Sequence, residues 1–135
     1  MATAENKAIV QTFFAAGNEG DLTRALALLA EDVTWTNIGT TRFSGTYEGK
    51  QAVVDDLLGT VFGRLQGGIR STIDNVVAEG EFVVVQSRGQ ATTRNGEAYD
   101  NTYCHIFRLR NGRIVAVTEY LDTELATRVL GAVGP

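Results

Sequence analysis

Apolar positions in the first half of the chain recur at helical spacing. Ile9, Val10, Phe13 and Phe14 fall on one stripe and predict a helix that closes near Gly17-Asn18. Asp21 stands where an N-cap belongs, and Leu22, Ala25, Leu26 and Leu29 predict a second helix ending before Glu31-Asp32. Val33 to Trp35 has the character of a short strand. After Gly49, Val53, Leu57, Val61 and Leu65 recur every four residues with Val54, Leu58 and Phe62 beside them, a third helix stopping at Gly67-Gly68. From Ile69 the pattern changes to alternation, and Gly80-Glu81, Asn95-Gly96 and Asn111-Gly112 divide the remainder into four strands. Leu125 to Leu130 adds a short terminal helix. The expectation is one α+β domain over residues 1–135, with three N-terminal helices packed on a curved, mainly antiparallel sheet.

Side chains alternate faces along a strand, so turn length decides which residues look the same way. A two-residue turn at Asn95-Gly96 sets Arg94 opposite Glu97, which pairs Gln86 with His105, Arg88 with Tyr103 and Gln90 with Asn101. A three-residue turn at Asn111-Gly112, with Gly112 left-handed, then brings Phe107, Leu109, Val115, Val117, Glu119 and Leu121 to that same face. The predicted site therefore gathers Arg88, Gln90, Asn101, Tyr103, His105 and Glu119 at a polar centre. Asp100 and Asp122 fall on the other side. Tyr103, Phe107 and Leu121 can pack beneath the helices while the polar side chains enclose a cavity. The opposite face, with Val83, Val85, Ser87, Gly89, Cys104, Ile106, Ile114 and Tyr120, is flatter and suits a homodimer.

Composition narrows the classes of function. A net charge of -4 with no cluster of Lys and Arg argues against nucleic acid as a partner. Apolar runs such as Phe82 to Val85 are far short of a membrane span, and Met1-Ala2-Thr3 lacks the basic start of a leader, so the expectation is a cytoplasmic protein. Cys104 is the sole cysteine and His105 the sole histidine, a poor basis for a metal site; neither metal nor cofactor is expected. A hydrophobic small molecule is the remaining partner.

The stretch Val10-Gln11 through Asn18-Glu19-Gly20-Asp21-Leu22, then Leu28-Leu29-Ala30-Glu31-Asp32-Val33-Thr34-Trp35, resembles the helical start of small bacterial enzymes of the nuclear transport factor 2-like superfamily. Phe107-Arg108-Leu109-Arg110-Asn111-Gly112-Arg113-Ile114 and Glu119-Tyr120-Leu121-Asp122 are similar to the last hairpin of its SnoaL-like branch. The resemblance implies a cone-shaped fold, and such folds host several chemistries. Three templates follow from it. SnoaL-like polyketide cyclases use an acidic residue on the last strand beside a histidine on the preceding one, places matched by Glu119 and His105. Limonene epoxide hydrolase is similar at Asn37, Arg88 and Glu119, but Gln90 stands where its partner acid belongs and Trp35 where it has a tyrosine. Ketosteroid isomerase resembles the first helix, yet Phe13 replaces its oxyanion tyrosine and His105 its protonated aspartate.

Each candidate also has a plainer reading. Glu119, in an apolar-walled cavity, is poorly solvated and thereby a stronger base, or it forms a structural ion pair with Arg88. His105 assists proton transfer, or is a hydrogen-bonded core residue. Arg88 binds a substrate oxyanion, or neutralises Glu119. Trp35, Tyr103, Phe14 and Val117 wall a ligand, or are core. Asn37 and Gln90 hold substrate oxygens or water, although Asn37 beside Gly39 also suits a turn. The expected activity is acid/base chemistry on a hydrophobic carbonyl compound, an aldol-type cyclisation or isomerisation. The alternatives are an epoxide hydrolase and a non-catalytic binding module.

Overall fold

The computed structural model describes residues 2–134; Met1 and Pro135, the ends of the expected domain, lie outside the described residues. Two helices, α1 (Ala2–Asn18) and α2 (Leu22–Ala27), lead into strand β1 (Leu29–Asn37). The Asp21 carboxylate caps α2 by accepting from the Arg24 amide at 3.1 Å, as its position predicts. The helix is shorter than expected, and Leu29 and Val33 enter β1 as fully buried strand residues. Strand β2 (Gly45–Glu48), which the apolar pattern does not reveal, pairs antiparallel with β1.

The third helix covers residues 50–62, and its middle turn, Val53–Leu58, is π-helical, the Gly59 amide reaching the Val54 carbonyl. An apolar spacing of four runs ahead of a 3.6-residue turn, and one wider i→i+5 turn takes up the drift. Val53 and Leu57 are thereby kept in the core. A second helix containing a π segment closes the chain over residues 123–130.

Strands β3 (Arg70–Glu79), β4 (Phe82–Gln90), β5 (Asn101–Arg110) and β6 (Arg113–Leu121) form the predicted meander, and β6 pairs parallel with β1. The six-stranded order is β2-β1-β6-β5-β4-β3. α1 crosses the inner face against β3 and β4, and its Asn18 side chain exchanges two hydrogen bonds with the Ser71 backbone. Val10, Phe14, Val33, Val83, Val85, Phe107 and Val117 make the main core between helices and sheet.

Two turns differ from expectation, with opposite consequences. At Asn95-Gly96 the turn has three residues: the Thr93 amide donates to the Glu97 carbonyl, and Gly96 alone takes positive φ, +85°. Gly89 therefore pairs with Asn101, Ser87 with Tyr103 and Val85 with His105. This one-residue difference turns β4 over. Val83, Val85, Ser87 and Gly89 face inward, while Gln86, Arg88 and Gln90 are exposed on the outer side. At Asn111-Gly112 the turn has two residues, both with positive φ (52° and 74°), and Arg110 pairs with Arg113. The extra residue is displaced into a bulge at Val115, so Ile114 is buried inward where Val115 was expected. Beyond the bulge the parity is as predicted, with His105 opposite Glu119 and Phe107 opposite Val117.

The outer face is accordingly more polar than the sequence suggests. Arg88 makes a two-pronged contact with Asp74, its Nε donating at 3.0 Å and a terminal nitrogen at 2.9 Å. Asp74 is the unpaired residue of a β3 bulge, which aims its carboxylate at Arg88, and the guanidinium holds that carboxyl below its ordinary range.

Candidate active site

Residues 103, 105 and 107 of β5 share the inner face, and their rings stack along the strand. His105 lies between Tyr103 (centroids 5.5 Å, 23° between planes) and Phe107 (5.7 Å, 29°). The edges of Phe14 and Trp35 close its other sides at 5.8 and 6.1 Å. Its ring is thus enclosed by four aromatic side chains, and its Nδ1 is buried without a partner.

Glu119, the residue opposite His105, receives contacts from two strands. The Trp35 indole on β1 donates to Oε1 at 3.1 Å, and His105 Nε2 is 3.4 Å from that same oxygen. Both anchors hold one carboxylate oxygen. The other, Oε2, accepts no hydrogen bond among the described residues. With His105 and Glu119 side chains only 10% and 14% exposed, the pair sits at the wall of a cavity rather than at the surface.

That cavity has a volume of about 430 Å³ between the helices and the inner face. Phe13, Phe14, Leu26, Leu57, Val61 and Phe62 wall it from the helices, and Phe43 and Leu130 from the far end. Its polar lining includes Asn37, Thr41, Ser87, Tyr99, Tyr103 and His105, and Glu119 is its one formally charged side chain among the described residues. A mostly apolar enclosure with a few convergent polar groups is the usual form of a small-molecule site.

Six sequence candidates meet here: Phe14, Trp35, Asn37, Tyr103, His105 and Glu119 all line the cavity. Four do not. Arg88 and Gln90 project from the outer face because β4 is turned over, which leaves Glu119 without an arginine partner. Val117 is buried in the core against Phe107. Asn101 is buried as expected but fully engaged. Its amide nitrogen donates to the Tyr99 hydroxyl (2.9 Å) and the Asp122 carbonyl (3.1 Å), and its oxygen accepts from the Thr102 (2.7 Å) and Asp122 (3.0 Å) amides. It joins the start of β5 to the end of β6. Asp122 caps the terminal helix by accepting from the Leu125 amide.

Tyr99 is the principal residue absent from the sequence reading. It shares parity with Asn101, Tyr103 and His105, a signal hidden because it precedes β5 proper. Burial pushes the Tyr99 and Tyr103 phenols above their ordinary range, with the nearby Glu119 charge acting in the same direction, so both remain protonated donors.

The model of the SnoaL-like domain family matches residues 10–117 of the chain. Among solved structures, a nuclear transport factor 2-like protein of unknown function from Burkholderia pseudomallei is 28% identical, with 95% of this chain and 98% of that one covered and a TM-score of 0.84. A protein from Jannaschia described as a SnoaL-like polyketide cyclase is 17% identical (coverage 98% and 95%, TM-score 0.80). One from Catenulispora acidiphila with a ketosteroid isomerase-like fold, in complex with trimethylamine, is 16% identical (91% and 92%, TM-score 0.74). No curated protein sequence matches the chain. The last two likenesses show the fold. No helix among the described residues is long and apolar enough to cross a membrane.

Proposed function

The chain belongs to the SnoaL-like domain family, and we propose that it is an enzyme in which Glu119 moves a proton at carbon on a hydrophobic carbonyl compound, as in an aldol cyclisation or isomerisation. The observation that carries this reading is the asymmetry of the carboxylate. Trp35 and His105 both hold Oε1, which fixes the group's orientation and leaves Oε2 as the basic atom at the cavity wall. A base confined among apolar and aromatic walls is shielded from water, which suits abstraction from a weak carbon acid. His105 is a positioning group that can follow the proton as charge shifts. Asn37 is the neighbour of Glu119 across β1 and β6, and its amide suits a substrate oxygen.

The epoxide hydrolase template loses its support. It needs Arg88 and the side chain at position 90 beside Glu119, and both are on the outer face. A homodimer through that face stays part of the proposal, with sedimentation equilibrium as its test.

Enzymatic exchange of α-protons for deuterium can be followed by NMR without knowing the natural substrate, using 2-tetralone in D₂O as a bicyclic carbonyl probe. Glu119→Gln should abolish protein-catalysed exchange while the fold is retained, and Arg88→Ala should leave it at the wild-type rate. Undiminished exchange in Glu119→Gln would remove Glu119 from the chemistry.

A further inference from the structure

Removing a proton beside a carbonyl puts negative charge on the carbonyl oxygen, and that charge needs a hydrogen-bond donor placed in advance. Most donors around the cavity are already committed. The Trp35 N–H is given to Glu119, and His105 Nε2 faces the same oxygen. The Asn101 amide is divided between Tyr99 and Asp122. The Tyr103 hydroxyl, unlike that of Tyr99, has no amide donor to orient it among the described residues. Ser87 Oγ is buried without a partner.

Tyr99 is different. Its oxygen accepts from the Asn101 amide at 2.9 Å, so its own proton points elsewhere, and no acceptor for it occurs among the described residues. That incoming hydrogen bond polarises the O–H and makes it a better donor than an isolated phenol. Asn101 is itself held by four bonds, so the phenol is fixed before any ligand arrives. Gly89 maintains the geometry from the other side. A β-carbon there would come within 2.9 Å of Tyr103 Cε2, so glycine is what lets the Tyr103 ring lie over β4 beside the site.

We infer that Tyr99 is a catalytic residue which receives the substrate's carbonyl oxygen and stabilises the enolate formed when Glu119 takes the neighbouring proton. This rests on the proton-transfer reading of Glu119. The substrate class is thereby an enolisable ketone with a flat hydrocarbon body. In the step, Glu119 Oε2 bonds the proton, and the C–H pair becomes the carbon–carbon double bond. The carbonyl π pair moves to the oxygen hydrogen-bonded by Tyr99. Returning a proton or deuteron from the Glu119 carboxylic acid reverses the sequence, so no other reactant is needed.

The test pairs two probes on the full chain: deuterium exchange into 2-tetralone, and binding of 2-naphthol, a planar mimic of its enol, followed by fluorescence. Tyr99→Phe should lower the exchange kcat about a hundredfold with little change in KM. It should also weaken 2-naphthol about tenfold. Tyr103→Phe, which removes the neighbouring phenol but spares the Tyr99 proton, should lose less on both probes. Glu119→Gln should lose exchange yet keep 2-naphthol. Tyr99→Phe behaving as wild type on both probes would overturn the inference, and so would a larger loss in Tyr103→Phe, or a wild-type protein inert to both. If Glu119→Gln keeps exchange while Tyr99→Phe still weakens 2-naphthol, the base is misassigned and the Tyr99 site stands.

Discussion

Asn101 was expected to touch substrate; its four hydrogen bonds instead predict a measurable structural role. Replacement by alanine removes all four partners at once from a residue that is 2% exposed. Neutral hydrogen bonds contribute about 1 kcal/mol each, giving about 4 kcal/mol before any penalty for the groups left behind. The two amides and the Asp122 carbonyl are only partly buried, so water recovers some of that, whereas the Tyr99 hydroxyl is buried. Asn101→Ala should therefore cost about 3 kcal/mol, or about 10 °C in Tm for a chain of this size. Asn101→Asp keeps the oxygen that accepts from Thr102 and Asp122 but sets a second oxygen 3.1 Å from the Asp122 carbonyl where a donor had been. That variant should be least impaired at acidic pH, where the protonated acid can donate in the amide's place, and should weaken as pH rises through the carboxyl range. Urea denaturation of the three proteins at pH 4 and pH 7 measures both effects. An Asn101→Ala protein within about 1 kcal/mol of wild type would refute the view that this residue fastens β5 to β6.

Two further outcomes follow from the same region. Gly89→Ala should destabilise by about 2 kcal/mol, because the new methyl meets Ile69 Cγ2 at 2.8 Å and the Tyr103 ring at 2.9 Å, and near-ultraviolet circular dichroism should register the displaced ring. At alkaline pH the buried phenols resist ionisation while those of the unfolded chain ionise from the ordinary value of 10.0, so the unfolded state binds fewer protons and stability falls above that pH. Each such tyrosine contributes up to about 1.4 kcal/mol per pH unit, and Tyr103→Phe should remove one such contribution from the slope; an unchanged slope would mean Tyr103 is not the group involved.

The helices, the meander and the His105–Glu119 pair were legible in the chain, the last because the parity from β5 to β6 survives whether the extra residue sits in the turn or in a bulge. The β4 face was not, and the reason is physical. An Asn-Gly dipeptide serves both a two-residue turn, with both residues at positive φ, and a three-residue turn, with only the glycine there. Asn111-Gly112 takes the first form and Asn95-Gly96 the second. What selects the second is distant in sequence: the Arg94 amide donates to the Arg64 carbonyl and the Gln66 amide to the Thr92 carbonyl, so the chain following the third helix grips that hairpin. No local pattern encodes this contact. The apolar run Phe82 to Val85 could not arbitrate either, since it offers valine to both faces. The discriminating signal was Gln86, Arg88 and Gln90 alternating with Ser87 and Gly89. Three polar side chains turned inward would each need a buried partner, whereas turned outward two of them find Asn75 and Asp74 on β3. Desolvation thus favours the register that empties the site of Arg88 and leaves the Glu119 carboxylate to Trp35 and His105.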